Sequence, residues 1–301
     1  MMRWCVFWFA MASSMLCGQG LVSFEGEEGT KRVVSATVPI GEGIAAAVAV
    51  VGANPSKARF GVSEDGSPLK LLIHDPVSRL TLLQMPVGEA GEAGPGVPRG
   101  SSKRLKAGSP VYLDPDKKDE PSRVVTWENR YRDNVLPLAL MRVHHPGDSP
   151  PPAGSPLFAE DGRLVAVCHQ EAKEFGNGTY ALPVEVIDRV AVDLRERGKV
   201  VRCWIGIVME VKHAVPAIMT VRPGSPAAAA GVEENDILLR IGSRQVDSYA
   251  DAVNAFYYLV SGDPIEVEVM RKTDRLTLSV TPEVNPSLTQ PAGDPGASAD
   301  E

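Results

Sequence analysis

The sequence predicts a mainly β protein built from two folded units, and three observations carry that expectation. Hydrophobic residues make up 44% and charged residues 23% of the 301 positions. That supplies apolar material for an ordinary core and length for about two domains at roughly 150 residues each. From about residue 31 to 195 the apolar residues fall in short runs separated by Gly, Pro and Asp, the pattern of short strands joined by turns in a barrel or sandwich. Beyond Val200 the strand pattern is interrupted by two helical stretches, so the second unit reads as a compact mixed domain.

Composition also excludes several classes of function. Lys and Arg number 31 against 38 Asp and Glu, a net charge of −7 with no long basic run. Nucleic acid is therefore not an expected partner, because its phosphates demand a positive face. Four scattered Cys are too few for a disulfide scaffold or a zinc site. No phosphate loop, dinucleotide fingerprint or metal-ligand spacing occurs, so neither cofactor nor metal is expected. His169 and His213 read as structural histidines.

The elements follow in chain order. Residues 1–20 carry Arg3 and then an apolar run from Trp4 to Leu16. The run falls short of the about 20 residues that cross a bilayer and suits a secretory signal peptide, which would place the body in the periplasm or outside the cell. An uncleaved anchor and a lipid on Cys17 remain open, and membrane contact is expected only through this segment. Cys168 and Cys203 then remain, as free thiols or as a pair in an oxidising compartment.

The first unit, 31–198, has strand-like runs at Arg32–Ile40, Gly43–Val51, Leu69–His74, Leu80–Met85, Val111–Leu113, Val135–Val143 and Leu164–Cys168. Pro86–Gly108 reads as a loop, and Asn177-Gly178 as a turn although Asn177-Gly-Thr is formally a glycosylation sequon. Pro183–Arg197 has apolar residues at helical spacing, and Gly198 stops it. The second unit, 200–284, reads as strands at Trp204–Val211, Ala217–Val221, Asp236–Ile241, Ile265–Arg271 and Leu276–Thr281, with helices at Gly224–Ala230 and Tyr249–Val260. Residues 285–301 have almost nothing to bury and read as a disordered tail.

Within the second unit, Val221-Arg-Pro-Gly-Ser-Pro-Ala-Ala-Ala-Ala-Gly231 and Glu234-Asn-Asp236 before a strand resemble a bacterial PDZ domain, a small β-barrel with two helices. Ser225-Pro226 caps and starts a helix, and Asn235 takes a turn conformation usually given to Gly. The resemblance implies an extended peptide added as a strand at a sheet edge. Trp204-Ile205-Gly206-Ile207 occupies the place of the loop that meets the peptide carboxylate, with Val253 and Tyr257 completing the groove. Ile205 and Ile207 serve equally well as core, and Trp204 as packing.

The first unit resembles the trypsin-like double β-barrel of HtrA-type (DegP-like) serine proteases, which place a PDZ domain after it. Asp75-Pro-Val-Ser-Arg79-Leu80-Thr-Leu-Leu-Gln84 is similar to the family's D-P-x-T-D-L-A-L-L-K. Ala153-Gly-Ser-Pro-Leu157 followed by Asp161-Gly162 is similar to its S-G-G-P-L…D-G segment, and Thr179-Tyr-Ala-Leu-Pro183 matches the stretch before the closing helix. The chemistry needs a nucleophilic Ser, a His base and an Asp that orients the His. The matched positions hold Ala153, Ala49 and Arg79, and no His precedes His74. Pro151 and Pro152 replace residues whose N–H groups would stabilise the oxyanion, because proline carries none.

Three functional readings follow. The first is an exported, non-catalytic HtrA-like pseudoprotease that binds peptides or protein C-termini through its PDZ domain, in protein quality control or in regulating an active protease. The second is an active serine endopeptidase with its nucleophile relocated to Ser155, and the third a structural scaffold that docks partners. Expected partners are peptides or unfolded segments, further copies of the chain in a trimer, and an active relative.

Overall fold

A computed structural model describes residues 20–26, 32–63, 65–86, 96–131, 134–210 and 215–285. Residues 1–19 of the predicted signal segment, residues 286–301 of the predicted tail, His213 and Cys17 lie outside the described residues.

The first barrel comprises β1 (Leu21–Gly26), β2 (Val33–Ala36), β3 (Val38–Gly41), β4 (Ile44–Val48), β5 (Ala53–Phe60), β6 (Lys70–His74) and β7 (Leu80–Gln84). They form two sheets, ordered β2-β1-β5 and β3-β4-β7-β6. Backbone bonds from Phe60 to Ser67 (2.8 Å) and from Leu69 to Ala58 (2.9 Å) join β5 to the start of β6 and curl the sheets into one barrel. The expected start near residue 31 is too late, since β1 pairs with both β2 and β5. The nearly unbroken apolar run of β4 has a simple cause. Successive side chains of a strand point to opposite faces, and here both faces are buried. Ala45 and Ala47 pack inside the barrel against Val22, Phe24 and Leu83, whereas Ala46 and Val48 face the second barrel.

The second barrel comprises β8 (Pro110–Val111), β9 (Ser122–Tyr131), β10 (Asn134–His144), β11 (Pro156–Phe158), β12 (Leu164–Glu171) and β13 (Gly178–Pro183), ordered β11-β12-β13-β10-β9-β8. Reciprocal backbone bonds between Tyr112 and Phe158 (2.9 and 2.7 Å) close it. Met141, Val143, Leu157, Val165 and Cys168 fill its interior. Leu138, Phe158, Leu164, Val167 and Leu182 meet Val48, Leu80 and Leu82 of the first barrel in a shared core. Helix α1 (Val184–Arg197) lays Val184, Val186, Ile187 and Val190 on that core. It ends on Gly198, which adopts the left-handed conformation and donates to Leu194 O at 3.0 Å.

The PDZ-like unit comprises β14 (Cys203–Trp204), β15 (Ile207–Met209), β16 (Ile218–Val221), α2 (Pro226–Ala229), β17 (Ile237–Ile241), β18 (Arg244–Gln245), α3 (Tyr249–Tyr257), β19 (Ile265–Arg271), β20 (Asp274–Val280) and β21 (Glu283–Val284). Ser225 caps α2 through its side chain, and Asn235 turns at φ 70°. The expected continuous strand Trp204–Val211 is broken at Gly206, whose φ of 87° no regular strand accommodates. Helix α3 stops at Tyr257, three residues before the expected end. No helix among the described residues is long and apolar enough to cross a membrane.

The two units are tied by buried polar groups. Asp75, fully buried at the end of β6, accepts from Val77 N (3.1 Å), Ser78 N (3.2 Å) and Ser78 Oγ (2.7 Å). It also accepts from Tyr257 Oη of α3 (2.6 Å) and pairs with Arg202 in the linker. Burial alone would push this carboxyl up, but Arg202 and the hydroxyl donors outweigh it and hold it below the usual range. Arg189 of α1 pairs with Asp193 at 2.7 Å and donates to Val201 O and, in the PDZ-like unit, to Leu259 O.

Two predictions follow from these buried groups. Asp75→Ala strands Arg202 and the Tyr257 hydroxyl without their acceptor, and removing one member of such a buried pair costs about 3–5 kcal/mol. Tyr257→Phe removes one charge-assisted bond, about 1.5–3 kcal/mol. Urea unfolding measures both, and a loss under about 1 kcal/mol for Asp75→Ala would show that the units do not depend on this contact. The second prediction concerns His145, buried between Ser122 Oγ and Thr179 Oγ1, each 2.8 Å from a ring nitrogen. Burial, with the neighbouring His144, pushes its pKa down to about 4. The unfolded chain, with an ordinary value near 6.5, therefore binds this proton more readily than the folded one. His145 contributes its full stability above pH ~6.5, loses it as the pH falls toward about 4, and adds no further slope below. Urea midpoints across that window should fall with acid, and His145→Gln should flatten the slope; an unchanged slope would refute the assignment.

Candidate functional site

The seam between the barrels is where a double-barrel protease would carry its catalytic groups. The turn after Pro150–Pro152 brings Ala153 O onto Ala36 N (2.7 Å) and Ser35 Oγ (3.2 Å), and Ser35 Oγ in turn accepts from Val48 N (3.0 Å). The next residue, Gly154, donates to Cys168 O at 2.7 Å. His169, one residue further along β12, is buried within the field of Arg79, with its ring Nδ1 left without a hydrogen-bond partner. Arg79 O accepts from Ala49 N at 3.0 Å. Ala153, Arg79 and Ala49 thus sit along one chain of contacts across the seam. Their side chains do not all point into it. The Ala49 methyl packs inside the first barrel, while Val50 and Ala153 pack against the shared core. Gly154 is required here, because its φ is 79° and a Cβ would lie 2.0 Å from Ala36 O.

None of these groups forms a nucleophile–base pair. Ala153 carries no side-chain oxygen. The Ser35 hydroxyl donates to the Ala36 carbonyl at 2.8 Å, so its proton does not point at an imidazole. Ser155 is almost buried, and no histidine ring among the described residues is hydrogen-bonded to it; its backbone N–H closes onto Pro152 O at 3.2 Å. His74 is bonded to Thr81 Oγ1 (3.0 Å) and His145 to Ser122 and Thr179. His169 is kept neutral, because burial and then the Arg79 cation push its pKa down to about 4. Cys168 is an inert thiol, pushed up to about 12 by burial. Cys168 and Cys203 are unpaired. The sequence offered no signal for the approach of His169 to Arg79 or for the bridging role of Ser35. Asn177, of the formal sequon, spends its amide nitrogen on the carbonyls of His145, Pro146 and Gly147, the last at 2.7 Å, so it works as a turn residue.

A second site lies in the PDZ-like unit. Trp204, Ile205, Gly206 and Ile207 line a cavity of about 290 Å³ together with Val208, Arg222 and Phe256. Gly206 O accepts from Arg222 N and Ile205 O from Ala227 N, both at 2.8 Å, which holds the loop against the start of α2. Gly206 is fixed twice over, by its positive φ and by Ser225, whose Cβ would lie 2.1 Å from an added Cβ. Arg222 stands 5.7 Å from the centre of the Trp204 ring, an exposed cation at the mouth of the groove. Tyr257 is a correction. It turns away from the groove, 5% exposed, into the core shared by the barrels, and its neighbour Phe256 lines the cavity instead. Val253, one turn before Phe256, does not line it. The reason is helical geometry: α3 docks on β9 and β10, and a step of one residue rotates a side chain by about 100°.

Comparison with known proteins agrees with this geometry. Residues 203–281 match the PDZ domain family PDZ_2. The chain is 28% identical over 236 residues to a "Probable periplasmic serine endoprotease DegP-like" of Pseudomonas fulva (strain 12-X), covering 70% of this chain and 47% of that protein. A protein of the same name from Marinomonas sp. (strain MWYL1) is 28% identical over 243 residues, 72% of this chain and 50% of the relative. The chain therefore spans about half the length of the curated relatives it matches. Among solved structures, the HtrA-type protease AlgW with tripeptide superposes with a TM-score of 0.58 at 17% identity, covering 92% of this chain and 95% of that one. In fold the chain is a trypsin-like double β-barrel followed by a PDZ domain, an architecture similar to that of the HtrA-type protease structures.

Proposed function

We propose that this chain is an exported, non-catalytic HtrA-type protein that captures peptide segments, C-termini among them, in its PDZ groove. The observation that carries the reading is the chemistry of the seam. The positions matched to base, orienting acid and nucleophile hold Ala49, Arg79 and Ala153, and the nearby hydroxyls of Ser35 and Ser155 have no imidazole partner. Pro151 and Pro152 carry no N–H where oxyanion donors before the nucleophile position would stand, and losing even one such donor costs about 10²–10³ in rate. Export is supported by relatives named as periplasmic. Peptide binding is supported by the PDZ match and by the groove itself, where apolar walls from Ile207, Val208 and Phe256 end at Arg222. That arrangement suits an apolar side chain next to a terminal carboxylate.

Two experiments test the reading. Purified mature chain should neither hydrolyse casein nor take up a fluorophosphonate probe, and labelling that vanishes in Ser155→Ala would establish the relocated nucleophile instead. Titration with peptides ending in an apolar residue should saturate, and should weaken about tenfold or more in Arg222→Glu or when the peptide is C-terminally amidated. Arg222 is exposed, whereas a bulky residue at Gly206 would strike Ser225 and disturb the fold. Absence of binding to every peptide tried would favour a scaffold role. Solution mass checks the trimer that the resemblance implies.

A further inference from the structure

A cavity of about 350 Å³ lies between the second barrel and the PDZ domain, on the side of α3 away from the peptide groove. Lys103, Trp127 and Asn129 come to it from the barrel, and Ser243, Arg244 and Asn254 from the PDZ domain. Its polar groups are unequally satisfied. Asp251, the carboxylate on its wall, is fully used: Oδ1 accepts from Asn129 (2.7 Å), and Oδ2 from Ser248 Oγ (2.7 Å) and Asp247 N (3.3 Å). The cations are not. Lys103 Nζ makes one bond, 2.8 Å to Ser243 Oγ across the seam. The Arg244 guanidinium stands over the Tyr258 ring with its Cζ 3.4 Å from the centroid. Neither cation is ion-paired with a carboxylate among the described residues. A guanidinium held over a ring, even where it also meets the Tyr258 side chain, keeps further N–H groups that can donate to a carboxylate or phosphate. Asn254 spends its carbonyl on Ala139 N at 2.9 Å, which leaves its amide N–H groups as further donors.

We propose that this cavity is a binding site for a small organic anion, a carboxylate or phosphate ester, held between Lys103 and Arg244 with its carbon skeleton against Trp127. The unmet valence of the site is cationic and donor-rich, the complement of such a group. The volume matches the lower end of small-molecule pockets, which favour domain interfaces. Because Lys103 and Arg244 belong to different domains, the anion binds the docked arrangement and not the separated one, so it locks the PDZ domain onto the barrel. The site shares no lining residue with the groove beside Gly206.

Calorimetric titration of the full mature chain with citrate and with inorganic phosphate, at constant ionic strength, tests the proposal. Saturable binding of one anion per chain is expected for at least one of the two, and which one binds distinguishes carboxylate from phosphate chemistry. Lys103→Gln and Arg244→Gln should each weaken it about tenfold, whereas Arg222→Glu in the peptide groove should leave it unchanged. The bound anion should also raise the urea midpoint of the wild-type chain but not that of Arg244→Gln. No saturation by either anion up to about 10 mM, binding retained in both seam variants, or binding lost in Arg222→Glu would each overturn the proposal.

Discussion

A single buried carboxylate organises the relation between the two domains. Asp75 sits where β6 ends and takes donors from three places: its own turn at Val77 and Ser78, the linker at Arg202, and α3 at Tyr257. A carboxylate without access to water is tolerated only when its lone pairs are met by donors in good geometry. The position of the PDZ domain is thereby specified as well as stabilised, because a shift of α3 by one turn would leave Asp75 short of a donor at the point of highest cost. The Arg189–Asp193 pair does the same from the other side, fastening α1 to Val201 and Leu259. Apolar contact alone would not fix the docking so sharply, since hydrophobic burial is non-directional.

Helix α3 consequently serves three surfaces within nine residues. Phe256 lines the groove beside Gly206, Tyr257 reaches the barrel carboxylate, and Asp251 and Asn254 form the polar seam with Asn129 and Ala139. At 3.6 residues per turn, neighbours in sequence must point to different surfaces. The groove and the docking contacts therefore share one rigid element, and a change in the tilt of α3 is felt by both.

The sequence exposed those parts of the fold whose side chains decide them. Helix α1, with its apolar spacing and Gly198 stop, and strands β17, β19 and β20 lie within a residue or two of their expected places. What it hid was structure held by backbone pairing. Strand β5, Ala53–Phe60, buries mainly Ala53 and Ala58 and owes its place to β1. Strand β9 is largely polar because it forms a long hairpin with β10. Strand β1 directly follows the apolar N-terminal run, which masks its own Val22 and Phe24. The site was legible where absence is informative: an alanine cannot be a nucleophile in any conformation. It was illegible where register decides, as for His169 beside Arg79, and where docking decides, as for Tyr257 against Phe256.

The seam also shows what holds the backbone around Ala153, Arg79 and Ala49, the positions proposed as degenerate. The backbone there is held by main-chain bonds: Ala153 O with Ala36 N joins the barrels, while Gly154 N with Cys168 O and Ala49 N with Arg79 O brace the second and first barrel on either side. Such bonds are indifferent to the side chain each residue carries, provided the backbone conformation survives. Gly154 preserves it at a positive φ where a Cβ would collide with Ala36. A catalytic constellation, by contrast, is a destabilising feature, because it holds polar and titratable groups partly desolvated for the sake of chemistry. On the proposed reading, Ala49 and Ala153 carry no such groups, and the backbone bonds remain. The double barrel is then the surface on which Asp75 and Arg189 fix the PDZ-like unit.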